Sequence, residues 1–204
     1  MRQIADVLGS CDRLRFLSPT MHRDLMSELR FSLREARETR TGIDLPSLEL
    51  TRADEAAMRV LSRWQAMERV MAFGGGKALE RPAQKAIVAS AAIGLLSKAS
   101  LERGVYFDGG RGVQRVWLEA TARGLAFQPY SALLYLLARL ERGLGAGLND
   151  LERASLRGLR QRLDAALPKP DGHTELLLFR LAYADAPTSR ALRLSVDEIC
   201  SFVS

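Results

Sequence analysis

Side chains able to do proton, metal or nucleophilic chemistry are few in this sequence. It holds two histidines, His22 and His173, and two cysteines, Cys11 and Cys200. The cysteines make neither a zinc spacing nor a disulfide framework, and read as small buried or half-buried residues of a reducing compartment. His22 falls early in a helical stretch and His173 in a turn, so each reads as a surface or capping residue despite the suitability of histidine for proton transfer. GxSxG, HExxH, a CxxC pair and a complete GxGxxG are absent, and the GGRG at 109–112 is too short to count as a dinucleotide fingerprint. Gly74-Gly75-Gly76-Lys77 invites a phosphate-loop reading. That motif needs a glycine five residues before its lysine-bearing pair and a hydroxyl residue after it, and Met71 and Ala78 occupy those places. A flexible turn fits better. The acidic residues lie mostly beside arginines on helix faces, as on a solvated surface.

What remains is arginine. The formal charge is +6 and the pI near 9.8, but the basic residues are scattered through helical segments. A nucleic-acid footprint clusters its charge on one face and adds a recognisable module, so a basic helical nucleic-acid binder is the reading the sequence favours least. With 204 residues, 47% hydrophobic and 26% charged, residues 1–204 read as one domain with a core of ordinary size. Charges interrupt residues 1–17, so no signal peptide is visible, and no apolar run approaches the ~20 residues of a membrane helix. The expected location is cytoplasmic, with no membrane partner.

The stretch from Asp108 to Ala132 is the one that could position a site. Asp108 with Gly109-Gly110 can start a helix. Val113, Val116, Trp117, Ala120 and Gly124 then fall on one face, with Arg115, Glu119 and Arg123 on the other. Gly124 suits a left-handed helix end, and Gln128-Pro129 cannot simply continue the helix. A buried helix over 111–124 therefore delivers Gln128 to Ala132 to a defined place.

Around it, Ile4, Leu8, Cys11 and Leu14 mark a first helix. Ser18-Pro19 starts a second, with Met21, Leu25, Leu29 and Ala36 as its stripe, ended by Thr41-Gly42. Thr51 to Asp54 starts a third, with Ala57, Val60, Leu61, Trp64, Met67 and Met71 on one face. The run 86–97 is nearly continuously apolar, which periodicity alone cannot assign. Ser131 can cap a helix over 132–142, broken by glycines 143, 145 and 147. Asn149 with Glu152 starts another, carrying Leu148, Leu151, Leu159 and Leu163 and rich in arginine outside. Residues 175–184 read as a buried strand ended before Pro187. Residues 197–202 read as a last short helix or a segment extending to a partner. The fold class expected is α+β, helices packed around a small central sheet.

The run GGRGVQRVWLEATARGLAFQP resembles the helix and following loop of the nitroreductase family, in particular the C-terminal half of its two-halved members. Asp12 to Arg15 (DRLR), His22 to Phe31 (HRDLMSELRF), Arg40 to Ile43 and Leu181 to Arg193 (LAYADAPTSRALR) match further segments in the same order. The resemblance covers most of the chain except residues 146–171.

The resemblance implies a nitroreductase-like fold with 86–97 as a central strand. It implies an FMN-dependent oxidoreductase that takes reducing equivalents from NAD(P)H and passes hydride through the flavin to a small acceptor. Such an enzyme needs few titrating side chains, because the cofactor carries the chemistry. Carried over residue by residue, Gln128, Pro129, Ser131 and Ala132 border the flavin ring and Arg190 and Arg193 hold its phosphate. No catalytic side chain and no metal ligand are implied. The family's "RRS.R" and "S..N.QPW" segments are absent, so the flavin site would be completed in a homodimer or by a missing N-terminal half. The alternative is a non-catalytic module of the same fold that binds or sequesters flavin or a partner.

Overall fold

The structure, a computed structural model, describes residues 1–74, 76–99, 102, 104–190 and 192–201. In chain order the elements are α1 (Arg2–Leu17), α2 (Pro19–Glu28), β1 (Leu29–Arg30), α3 (Leu33–Thr39), β2 (Ile43–Asp44), a 3-10 turn at Leu45–Leu48, α4 (Arg52–Leu61) and α5 (Trp64–Ala72). A second 3-10 turn at Lys77–Glu80 leads to α6 (Arg81–Val88), β3 (Ala92–Ala99), α7 (Val105–Ala122), β4 (Ala126–Pro129), α8 (Ala132–Glu141), α9 (Asp150–Ala166), β5 (His173–Ala182) and α10 (Val196–Ile199). The fold class is α+β. The chain falls into two compact units, Met1–Ser18 with Gly76–Asp185, and Pro19–Gly75 with Ala186–Ser204.

The first unit is built on an antiparallel sheet ordered β3-β5-β4, with Leu95 opposite Leu178 and Gln128 opposite Arg180. A register shift between Leu96 and Ser97 marks a bulge. The strand expected over 86–97 is corrected: residues 86–88 end a helix, and the strand starts at Ala92. Pro82 sits in the first turn of α6, where its missing N–H is harmless, and Ala83 and Ile87 bury one helical face. Two elements, each with its own apolar face, thus read as one apolar run. The strand expected over 175–184 is present two residues earlier and pairs with β3 directly.

Helix α7 lies against all three strands. It begins at Val105 and not at Asp108, whose carboxylate sits in the first turn and accepts from Lys98 Nζ at 2.5 Å. Gly109 is consequently interior to the helix, and a Cβ there would stand 2.6 Å from Leu176 Cδ1, so the bare backbone permits the close approach to the sheet. The expected burial of this helix is corrected as well. Only Val105, Gly109 and Ala120 are buried, while Trp117 is 42% and Leu118 62% exposed. Beyond the sheet, α8 packs on β5 and α9, and α1 packs on α6 and α9. Leu133, Leu137, Leu156, Leu163 and Leu178 are its fully buried leucines. The capping box of α9 is present, with Asn149 Oδ1 accepting from Glu152 N and Glu152 Oε2 from Asn149 N, both at 2.9 Å. Leu151 is 81% exposed and outside the stripe expected to hold it.

The second unit corrects two expected helices. The stripe from Met21 to Ala36 is cut by β1, which pairs in parallel with β2, and α3 restarts because Ser32 caps it through Glu35 N. The helix expected from Thr51 to Met71 is two helices joined at Ser62-Arg63, and α4 has no buried residue, with Val60 59% exposed. His22 is corrected from surface residue to core. It is 3% exposed, its Nε2 lies 2.8 Å from the Leu61 carbonyl, and its ring meets Trp64 edge-on at 5.4 Å. The last helix is α10, and Phe202 lies outside the described residues.

Candidate functional site

Helix α7 ends as the glycine requires. Gly124 takes φ +70°, and Leu125 N donates back to the Ala120 carbonyl at 2.9 Å. The chain then enters β4 at the sheet edge, where Pro129 is tolerated because among the described residues no ladder partner lies beyond it. Side chains alternate across the strand. Phe127 stacks on Trp117 of α7 and on Phe179 of β5, each at 4.6 Å between centroids, while a Cβ on Gly94 would collide with the Phe179 ring. Gln128 is held instead by Arg180. Its Oε1 accepts from Arg180 Nε at 2.6 Å, and Arg180 Nη1 donates to the Ala86 carbonyl at 2.9 Å. Tyr130 N donates to the Leu178 carbonyl at 2.7 Å. Ser131 and Ala132 follow at the start of α8, and the Ser131 side chain makes no cap bond, against expectation.

The first unit thus brings together Gln128, Pro129, Ser131 and Ala132. Arg190 and Arg193 belong to the second unit, in the segment that follows Asp185. There Thr188 N and Oγ1 and Ser189 N donate to Glu49 Oε1, and Arg40 forks onto the Glu198 carboxylate. Arg190 and Arg193 are both exposed, and Arg193 Nη1 donates to the neighbouring Leu192 carbonyl at 3.2 Å.

Sequence reasoning missed Arg180 and Tyr130. Arg180 lies inside an apolar strand run, where its only signal is a charge interrupting ELLLFRLAYA, and Tyr130 carries no signal of its own between Pro129 and Ser131. Burial pushes the Tyr130 phenol up, Arg180 offsets part of that, and Asp12 adds to it. Asp12 is itself pushed up by burial, against the pull of Arg15 at 3.5 Å. Cys11 next to it is buried, and burial, with Asp12 adding, pushes its thiol up to about 12, which makes it unreactive. His173 opens β5 and does not lie in a turn, with Nδ1 3.1 Å from Ser97 Oγ.

A second feature of this unit is a cavity of about 40 Å³ between α7, α8 and β5, lined by Tyr106, Tyr135, Leu137, Glu141, Arg142 and Glu175. The Arg142 guanidinium lies 5.4 Å from the Tyr106 ring centre, and Arg160 bridges Glu175 and Asp164. Burial pushes the Glu141 carboxyl up. Among the described residues no group of three His, Cys, Asp or Glu could hold a metal ion, and no helix is long and apolar enough to cross a membrane.

Known proteins add little to this geometry. No family model matches the chain, and no solved structure matches it. It is similar to an uncharacterized Mycobacterium tuberculosis protein, MT1398, at 34% identity over 204 residues, covering 95% of this chain. The chain spans 27% of the length of that relative.

Proposed function

We propose that the chain is an FMN-dependent, NAD(P)H-using oxidoreductase of the nitroreductase type, with a nitroreductase-like arrangement of its sheet and α7. The observation that carries this reading is the path of the chain from α7 through left-handed Gly124 into edge strand β4, which brings Gln128 to Ala132 out at one rim of the sheet. This is the stretch in which the resemblance to the family is densest.

The residues present suit such a cofactor chemically. A flavin ring is rimmed by acceptors and its phosphate carries negative charge. The first-turn amides of α8 have no partner within their own helix, the Ser131 hydroxyl is not spent on a cap, and among the described residues Gln128 keeps its amide donors because only its oxygen is engaged. Arg190 and Arg193 are exposed forks of the kind that match phosphate. FMN held at the loop would supply hydride transfer between NAD(P)H and a small acceptor. The protein would bind and orient it, with Pro129 and Phe127 stiffening the rim. The 40 Å³ cavity between α7, α8 and β5 is too small for a flavin and is not lined by the loop, so the reading rests on the rim and not on that cavity.

One observation favours the second reading, a non-catalytic module of the same fold. Pro129 has no N–H and Tyr130 N is committed to Leu178, so the loop offers few backbone donors at its centre. Visible absorption of the purified protein tests both: a flavin band bleached by NADH or NADPH supports the oxidoreductase, a bound flavin that neither reduces supports the sequestering module, and no binding with excess FMN removes both flavin readings.

A further inference from the structure

Arg180 stands out among the arginines of the first unit. Its residue is half-buried, yet both hydrogen-bond acceptors it meets are neutral, the Gln128 side-chain oxygen and the Ala86 carbonyl. No carboxylate lies within ion-pair distance of it among the described residues. The two bonds fix Nε and one hydrogen of Nη1, which leaves Nη2 wholly unused. Compare Arg160, equally half-buried, which is closed by the carboxylates of Glu175 and Asp164. Removing a guanidinium partly from water without a counter-charge is unfavourable, and an anion arriving at the open edge would offset that penalty.

The groups beside it are donors as well. Gln128 presents its amide outward once its oxygen is engaged, and the Tyr130 phenol, which has no hydrogen-bond partner among the described residues, senses the Arg180 charge. Gln128 and Tyr130 are two residues apart, and the bond from Tyr130 N to the Leu178 carbonyl continues the β4–β5 register one residue past Pro129, which puts both on the face away from Phe127. Asp12, the acid whose charge reaches Tyr130, is already paired with Arg15. We propose that Arg180, with the Gln128 amide and the Tyr130 hydroxyl, forms an oxyanion-recognition site that takes the carboxylate or phosphate of a small ligand. The site stands on these contacts whether or not flavin binds.

The test uses the full chain and follows the Arg180 Nε–H and Gln128 side-chain amide resonances during titration with benzoate, with phenyl phosphate and with neutral benzamide. Both anions should give saturable shifts, with benzamide at least about tenfold weaker, as a charge-assisted bond to a fork implies. The tighter of the two anions identifies the group. Gln128→Glu supplies an internal carboxylate to Arg180, keeps the bond that ties β4 to β5, and should abolish anion binding with the fold intact. Arg180→Met should do the same, and Arg180→Lys should restore part of it. Benzamide binding as well as benzoate, or undiminished anion binding by folded Gln128→Glu, overturns the proposal. Because no readout depends on flavin, failure of the cofactor reading leaves this test unaffected.

Discussion

Arginine does most of the work at the scale of single residues, and its partners decide what each one does. Arg193 is exposed and, among the described residues, tied only to a neighbouring carbonyl, which leaves its guanidinium available to a phosphate. If the cofactor reading holds, Arg193→Ala should weaken FMN by roughly ten- to a hundredfold and leave riboflavin nearly unchanged; titration by flavin fluorescence distinguishes this from equal weakening of both, which would assign Arg193 to folding. Arg40 has the opposite situation. Its fork engages Glu198, and that hydrogen bond, with those from Ser195, holds the Glu198 carboxyl down at about 2 against an ordinary 4.5. A depressed carboxyl contributes stability that is present above 4.5 and is lost as pH falls through about 2. Arg40→Ala should therefore move the Glu198 midpoint most of the way back up, the Ser195 bonds holding the remainder. Carboxyl carbon shifts followed from pH 7 downwards read this directly, and an unmoved midpoint would mean that Ser195 alone sets it.

Elements were legible where a local signal ends or starts them. The Asn149–Glu152 capping box, Pro19 at the head of α2 and left-handed Gly124 all stand where side-chain chemistry puts them. Legibility failed where tertiary contact overrode the local pattern. Residues 86–97 held a helix end and a strand start, both apolar because each buries a face, and His22 was drawn into the core by a carbonyl 39 residues away. The candidate loop could be read because a glycine and a proline bracket it, whereas Arg180 could not, since its partners Gln128 and Ala86 are distant in sequence. Helix α7 separates the two kinds of information within one dipeptide. Gly109 faces Leu176 with no room for a Cβ, while nothing lies within 4 Å of a Cβ on Gly110. Both substitutions to alanine gain the same helix propensity, about 1 kcal/mol, so that contribution cancels between them. Gly109→Ala should thus be less stable than Gly110→Ala by about 1–3 kcal/mol, the usual penalty of overpacking. Urea melts of the two variants measure the difference, and equal midpoints would show that Leu176 simply swings aside.

At the scale of the whole molecule, the α7 surface poses the question of association. Tyr106 and Phe107 are 46% and 80% exposed, and Trp117 and Leu118, each eleven residues further on, are 42% and 62% exposed. Eleven residues are about three turns, so these four side chains form one stripe along a single side of the helix, with Gly110 and Gln114 between them. Scattered apolar residues on a surface need no explanation, but large exposed apolar side chains gathered on one side of a helix are the kind of patch that marks an interface. The same stripe belongs to the helix that leads into the proposed flavin loop. A homodimer formed through α7 would bury the stripe and place two Gln128–Ala132 loops in one assembly. Phe107→Lys with Leu118→Lys puts two like charges into that stripe without touching the sheet side of the helix, where Gly109 and Ala120 are buried. Sedimentation equilibrium should then give the mass of a dimer for the unaltered chain and of a monomer for the double variant. Flavin binding should fall with the dimer if the site is shared. A monomeric mass for the unaltered chain at high concentration removes α7 as an interface, and a dimeric mass for the double variant moves the interface elsewhere.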